Sequence, residues 1–345
     1  MTPPALSLSV LDQSPVRARG TAAQAFAETL ELARTAERLG YRRYWVAEHH
    51  ATEGLAGAAP EILVARVATE TSSIRVGSGG VMLSHYSPLK VAETFRVLET
   101  LYPGRIDLGI GRAPGSDALT ARALQAGPGA LPVEYFPTQV RDLLGYLGDG
   151  LPAEHPFARI HVTPEPAGRP EVWLLGSSDQ SAMVAAYLGC AFSFAHFIND
   201  QGGPEVMAAY RERFRPSPHL AAPLGSIGIF VLVAETEAEA DRLARSRDLS
   251  RLRLDQGYLG PVPSIEEAEA YPYSREERLR IAFNRRRMVI GAPEQATARL
   301  LELAEQYGVE ELVVVTICYD FAARIRSYEL LAEAFGLQAR TAGAA

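Results

Sequence analysis

Short apolar runs alternate with longer amphipathic stretches along nearly the whole chain, and this alternation constrains the fold more than any other feature. Strand-like runs rich in branched and aromatic residues fall at 6–11, 43–47, 74–82, 106–110, 172–175, 191–195, 227–233 and 312–317. Between them lie segments with apolar residues at helical spacing, at 21–39, 60–71, 88–101, 117–125, 134–147, 180–188, 204–214, 235–252, 275–288, 293–307 and 321–335. Proline opens the helices at Pro60, Pro88 and Pro293, and Gly40 and Gly308 stop two others. Eight apolar strands separated by helices, with no change of composition, predict an α/β fold of the (β/α)8 barrel type, one domain over 1–345. Insertions are expected after the fourth and seventh strands. Residues 148–170 are rich in proline and glycine and read as an excursion with a short hairpin, and 255–273 read as a second insertion.

A doubly wound open sheet is the competing architecture, and its dinucleotide fingerprint is missing. The run Gly109-Ile110-Gly111-Arg112-Ala113-Pro114-Gly115 has its third glycine one residue late, with Pro114 where a helix should begin. The net charge of -7 and the scattering of the arginines argue against a nucleic-acid surface. No apolar stretch approaches the ~20 residues that span a bilayer. Met1-Thr2-Pro3-Pro4 does not begin a signal peptide, so a cytoplasmic location is expected. Cys190 and Cys318 lack metal-ligand spacing and read as buried free thiols, with no metal site.

In such a barrel the carboxyl ends of the strands build the site. Asp12-Gln13, Glu48-His49-His50, Gly79-Gly80, Gly111-Arg112, Gly176-Ser177-Ser178, His196 and Cys318 all fall there. Glu48-His49-His50 brings a carboxylate and two imidazoles to one strand end, where histidine can exchange a proton near neutral pH; a satisfied core pair or a cap is the bland reading. Adjacent residues on a regular strand cannot all face one ion, which weakens a metal-dependent hydrolase. Gly176-Ser177-Ser178 combines a glycine turn, hydroxyls and a helix start, which suits a phosphate with Arg112 as countercharge, or else makes Ser178 an ordinary N-cap. The glycines of 76–82 admit a close flat ring, or mark a bulge.

With these residues in hand, the chain resembles the bacterial luciferase-like, flavin-dependent monooxygenases. The matching runs are Trp45 to His50, Ile74 to Leu83, Tyr102 to Arg112 and Trp173 to Ser178, in intact strand order. The resemblance is to single-chain oxidoreductases, some of them found in natural-product biosynthesis. It implies that His49 is the catalytic acid/base beside the flavin, supported by Glu48 or His50. It further implies that Gly79-Gly80 form a cis peptide under the flavin ring, that Arg112, Gly176, Ser177 and Ser178 hold the flavin phosphate, and that 255–285 is a mobile lid. Gly111 stands where luciferase proper has a reactive cysteine, which counts against light emission but not against flavin chemistry.

The expected activity is oxygenation of a small organic substrate by reduced FMN and O2 through a C4a-peroxyflavin. The chain shows no nicotinamide domain, so a separate NAD(P)H:flavin reductase is the expected source of reduced flavin, with a homodimer as the expected assembly. The alternatives are an F420-dependent hydride-transferring enzyme of the same superfamily, or a non-catalytic flavin-binding partner subunit.

Overall fold

The structure is a computed structural model that describes residues 6–112, 117–125, 132–148 and 150–339. Its elements in chain order are β1 (Ser7–Asp12), α1 (Ala22–Leu39), β2 (Arg43–Val46), α2 (Pro60–Glu70), β3 (Arg75–Met82), α3 (Pro88–Leu101), β4 (Ile106–Gly111), α4 (Ala118–Leu124), α5 (Phe136–Leu147), β5 (Glu171–Gly176), α6 (Asp179–Leu188), β6 (Ala191–Ala195), α7 (Gly203–Arg213), β7 (Gly225–Val233), α8 (Glu237–Asp255), α9 (Ile265–Ala270), α10 (Arg275–Arg285), β8 (Met288–Gly291), α11 (Pro293–Tyr307), β9 (Glu311–Val315) and α12 (Phe321–Phe335). Helix boundaries follow local chemistry. Thr21 and Gln24 form a reciprocal capping box ahead of α1, and Gly40 ends that helix at φ 89°, a left-handed conformation that glycine adopts without a Cβ penalty.

Eight strands close a parallel barrel in the order β1–β2–β3–β4–β5–β6–β7–β9, with β9 returning to β1. The (β/α)8 expectation therefore holds, with one correction. Residues 288–291 are a ninth strand, not the end of a helix. Phe230 pairs with Met288 and also with Val315, so β8 takes the edge of β7 opposite β9, beyond the point where β6 ends at Ala195. A four-residue strand directly behind a charged helix has too few residues to show its own period. The hairpin expected within 148–170 is not formed among the described residues, where turns carry the chain to β5 instead. Residues 1–4 and 113–115, used above for the N-terminal and fingerprint readings, lie outside the described residues.

The amino ends of the strands are closed by charge. Arg43 donates through Nε to Glu311 (2.6 Å) and through Nη1 to Asp107 (2.8 Å) and Glu171 (2.9 Å). Arg75 donates to Asp107, and the indole N–H groups of Trp45 and Trp173 donate to Asp107 and Glu171 at 2.9 and 2.7 Å. Burial alone pushes the Asp107 carboxyl up, but Arg43 and Arg75 outweigh it and hold the group below the usual carboxylate range. Trp45 and Trp173 then pack edge to face above this floor, 5.3 Å between ring centres.

Candidate active site

The carboxyl ends of the strands surround a cavity of about 340 Å³, the size of an ordinary small-molecule site. Leu11, Trp45, Leu175 and Val313 give it apolar walls, and His49, Arg112, Ser177 and Ser178 bring polar groups to its rim. Each group follows from a strand end. Trp45, Ala47 and His49 are two residues apart and line the cavity, and Glu48, past the end of β2, also reaches its wall. His50 falls out of step and turns aside to Glu48.

Glu48 is buried and fully engaged. Its Oε1 accepts from His50 Nε2 at 2.7 Å and from the Tyr86 hydroxyl at 2.5 Å, and its Oε2 accepts the Met82 backbone N–H at 2.8 Å. This carboxylate therefore ties the end of β2 to the end of β3. No hydrogen bond joins Glu48 or His50 to the His49 ring, whose buried Nδ1 has no partner. Burial, assisted by the neighbouring His50, lowers the His49 pKa from its ordinary value to about 4. At neutral pH the imidazole is uncharged and able to accept a proton.

Between β2 and β5 the cavity wall is bare backbone. The Gly79–Gly80 peptide is cis. A Cβ on Gly79 would lie 2.5 Å from Leu11 Cδ1, and one on Gly80 2.6 Å from the Gly109 carbonyl oxygen, so no side chain fits at either position. Beyond β5, Ser178 is the N-cap residue of α6 but makes no side-chain capping bond, so the ordinary-cap reading fails and its hydroxyl is left for the cavity. Asn199 Nδ2 holds the Ser177 carbonyl at 3.2 Å. A Cβ on Gly176 would meet Ser181 Oγ at 2.5 Å, so the turn needs glycine there. The Arg112 guanidinium reaches the same helix start and pairs with the Gln180 side-chain oxygen. Two hydroxyls and a guanidinium meet at this helix start, a setting that attracts anions, although Asp179 also stands in the first turn and its carboxylate takes the Gln180 N–H at 2.8 Å.

Three strand-end residues from the sequence lie elsewhere. Asp12 accepts from Tyr44 and Arg324, both at 2.7 Å, on the side of the sheet that faces α1 and α12. His196 pairs through Nδ1 with the Tyr307 hydroxyl at 2.8 Å, facing α11. The Cys318 thiol donates to the Asp320 carbonyl, and burial pushes its pKa up to about 12, which removes it as a nucleophile. Sequence reasoning missed Tyr86, the second donor to Glu48, and the cavity walls at Phe197, Ile198 and Gly228. The period running from Trp45 through His49 was the available signal for which histidine faces inward.

The 255–285 segment is joined to the barrel mouth. The Leu259 carbonyl accepts from the backbone N–H groups of Glu53 and Gly54, and Val262 exchanges backbone hydrogen bonds with Val16 and Ala18. Among the described residues no helix is long and apolar enough to cross a membrane.

Comparison with known proteins gives one answer. The family model of luciferase-like monooxygenases matches residues 6–311. The Bacillus subtilis (strain 168) protein YceB is 48% identical over 330 residues, covering 96% of this chain and 99% of its own. The N-acetyl-S-alkylcysteine monooxygenase of the same organism is 40% identical over 334 residues, covering 95% and 98%. The crystal structure of apo-MsnO8 superposes with a TM-score of 0.88 at 42% identity, covering 97% of this chain and all of that one. On barrel topology and sequence alike, the chain belongs to the luciferase-like monooxygenase family and is an oxygen-incorporating oxidoreductase.

Proposed function

We propose that the protein is a flavin-dependent monooxygenase that uses reduced FMN and O2 to oxygenate a small organic substrate, the reduced flavin arriving from a separate NAD(P)H:flavin reductase. One observation carries this reading: a single cavity joins the unpartnered His49 imidazole to an anion cradle at α6, across a wall of bare Gly79–Gly80 backbone. Those three parts suit a titratable ring edge, a phosphate and a flat ring face. When bound and reduced, FMN supplies the electrons that activate O2.

The protein supplies the rest. Arg112, Ser177, Ser178 and the free amides of α6 bind the phosphate, with Gly176 letting the chain turn tightly around it. The Gly79–Gly80 wall accepts the ring without steric conflict. His49, neutral and buried, takes or holds a proton at its ring nitrogen next to the reacting atoms. Glu48 and His50 act at one remove by fixing the β2 and β3 ends through Met82 and Tyr86. Leu11, Trp45 and Val313 exclude water from the ring face. The 255–285 segment is the cover of the site in this reading.

Titration of the purified chain with FMN, riboflavin and F420 tests the cofactor assignment. FMN is expected to bind best. Arg112→Ala is expected to weaken FMN about 10- to 150-fold, the loss of a charge-assisted contact, while riboflavin changes little. The FMN complex should also resist proteolysis within 255–264 better than the free chain. Preference for F420, or equal losses for FMN and riboflavin, would overturn the reading.

A further inference from the structure

The insertion after β7 brings three arginines together without a matching set of anions. Arg247 and Arg251 stand one turn apart on α8, and Arg287 immediately precedes β8. All three line a small second cavity with Phe197, Phe230, Asn284 and one carboxylate, Asp248. The Arg247 guanidinium lies 4.9 Å over the Phe230 ring and has no hydrogen bond among the described residues. The Nε atoms of Arg251 and Arg287 are buried and unpartnered.

The nearby carboxylates are already engaged. Asp248 accepts two bonds from Arg285, at 2.8 and 2.5 Å. Asp255 is shared between Arg251 at 2.9 Å and Arg280 at 2.8 Å. Burial, and then the charge of Arg251, lower the Arg247 pKa to about 10, so the group still carries its proton at neutral pH. Like charges one turn apart destabilise a helix. The pocket thus carries three arginines against one lining carboxylate, Asp248, which Arg285 already engages, and this excess of positive charge suits a further anion.

Its place and size narrow the choice. Gly228 and Phe230 are two apart on β7 and share a face; Gly228 lines the larger cavity and Phe230 the smaller. Phe197 lines both. Two residues of strand separate the cavities by roughly 7 Å. Arg287 Nη1 donates to the carbonyl of Ile198, itself part of the larger cavity wall. The open space is about 10 Å³, room for one water-sized group. That suits the oxygen end of a planar carboxylate held by guanidinium forks, and is too small for a phosphate ester.

We propose that Arg247, Arg251 and Arg287 form the subsite for a carboxylate of the organic substrate, making the enzyme selective for small carboxylic acids whose oxidisable atom reaches into the larger cavity. This rests on the reading that the larger cavity holds the flavin.

The test titrates FMN-loaded protein with butyrate, hexanoate, uncharged hexanamide and bromide, followed by flavin absorbance and melting temperature. The carboxylates should shift both signals, and hexanamide and bromide should not. Arg247→Met should weaken hexanoate about tenfold or more, with FMN affinity unchanged within about twofold. Arg247→Lys should fall between. Because Arg247→Met removes a charge that makes no hydrogen bond among the described residues and stands one turn from Arg251, it should melt no lower than the parent when no acid is present. Failure of the carboxylates to bind, equal binding to Arg247→Met, or equally tight binding of bromide (an adventitious ion only) overturns the proposal. A fall in FMN affinity in Arg247→Met assigns the trio to the cofactor and also overturns it. If the parent does not bind FMN, the flavin reading fails on its own, and melting of the flavin-free chain with hexanoate still decides whether the arginines hold a carboxylate.

Discussion

The two ends of the barrel treat polar groups in opposite ways. At the amino end, Arg43 is surrounded by Asp107, Glu171 and Glu311, and two indole N–H groups donate to the same oxygens of Asp107 and Glu171 that Arg43 uses. At the carboxyl end, the His49 Nδ1 and the Nε atoms of Arg251 and Arg287 are buried without partners. The two sets differ in what completes them. A cluster that only holds the fold together satisfies itself, because an unmade buried hydrogen bond costs about 1–3 kcal/mol. A cluster that awaits a ligand leaves groups unmet, and the molecule tolerates the cost because packing elsewhere covers it.

The comparison can be broken at either end. The largest effect belongs to the mouth. His49→Ala should lower turnover by ~10²–10⁴, measured with a competent substrate and reductase, while FMN affinity stays within a few fold. Unchanged turnover would remove His49 from the chemistry.

Next comes the floor. Arg43→Met leaves two buried carboxylates, Asp107 and Glu311, and the part-exposed Glu171 without their shared cation, and breaking such a cluster costs about 3–5 kcal/mol. Urea unfolding should show that loss, with the FMN affinity of the folded protein preserved. A neutral substitution would mean that the floor is not a self-completing network.

The smallest effect is acid sensitivity. His49 has a folded pKa of about 4 against an ordinary 6.5, so between those values the unfolded chain binds more protons. Stability should therefore be full above about pH 6.5 and fall as the pH drops toward 4, by about 1–3 kcal/mol from this group. His49→Gln should flatten that part of a stability profile measured from pH 7 to 4. A profile identical to the parent's would show that His49 is not buried as a neutral ring.

Much of this was legible in the sequence, for identifiable reasons. The barrel strands announce themselves as apolar runs, and Thr21, Gly40, Pro60 and Pro88 punctuate the helices by local chemistry alone. The proposed phosphate cradle is local too: Gly176, Ser177 and Ser178 are consecutive, so strand, turn and helix start can be read in one line. The floor was hidden because Arg43, Asp107, Glu171 and Glu311 lie far apart along the chain and meet only on closure. The arginine trio was hidden differently. Arg247 and Arg251 sit on a charged helix that reads as a solvated face, and only the packing of β8 beneath α8 reveals that this face is inward. The strand Met288–Gly291 is short enough to be absorbed by the helix before it.

That short strand also divides the molecule's labour. The groups assigned to the cofactor come from the ends of β2 to β5, inside the eightfold alternation. The arginines come from α8 and the segment entering β8, outside it. If both proposals hold, natural variation or an engineer can rewrite residues 237–291 to change what is oxidised while the half of the barrel proposed to hold the cofactor stays as it is. In this architecture the ninth strand works as an adaptor, a replaceable fitting on a fixed engine.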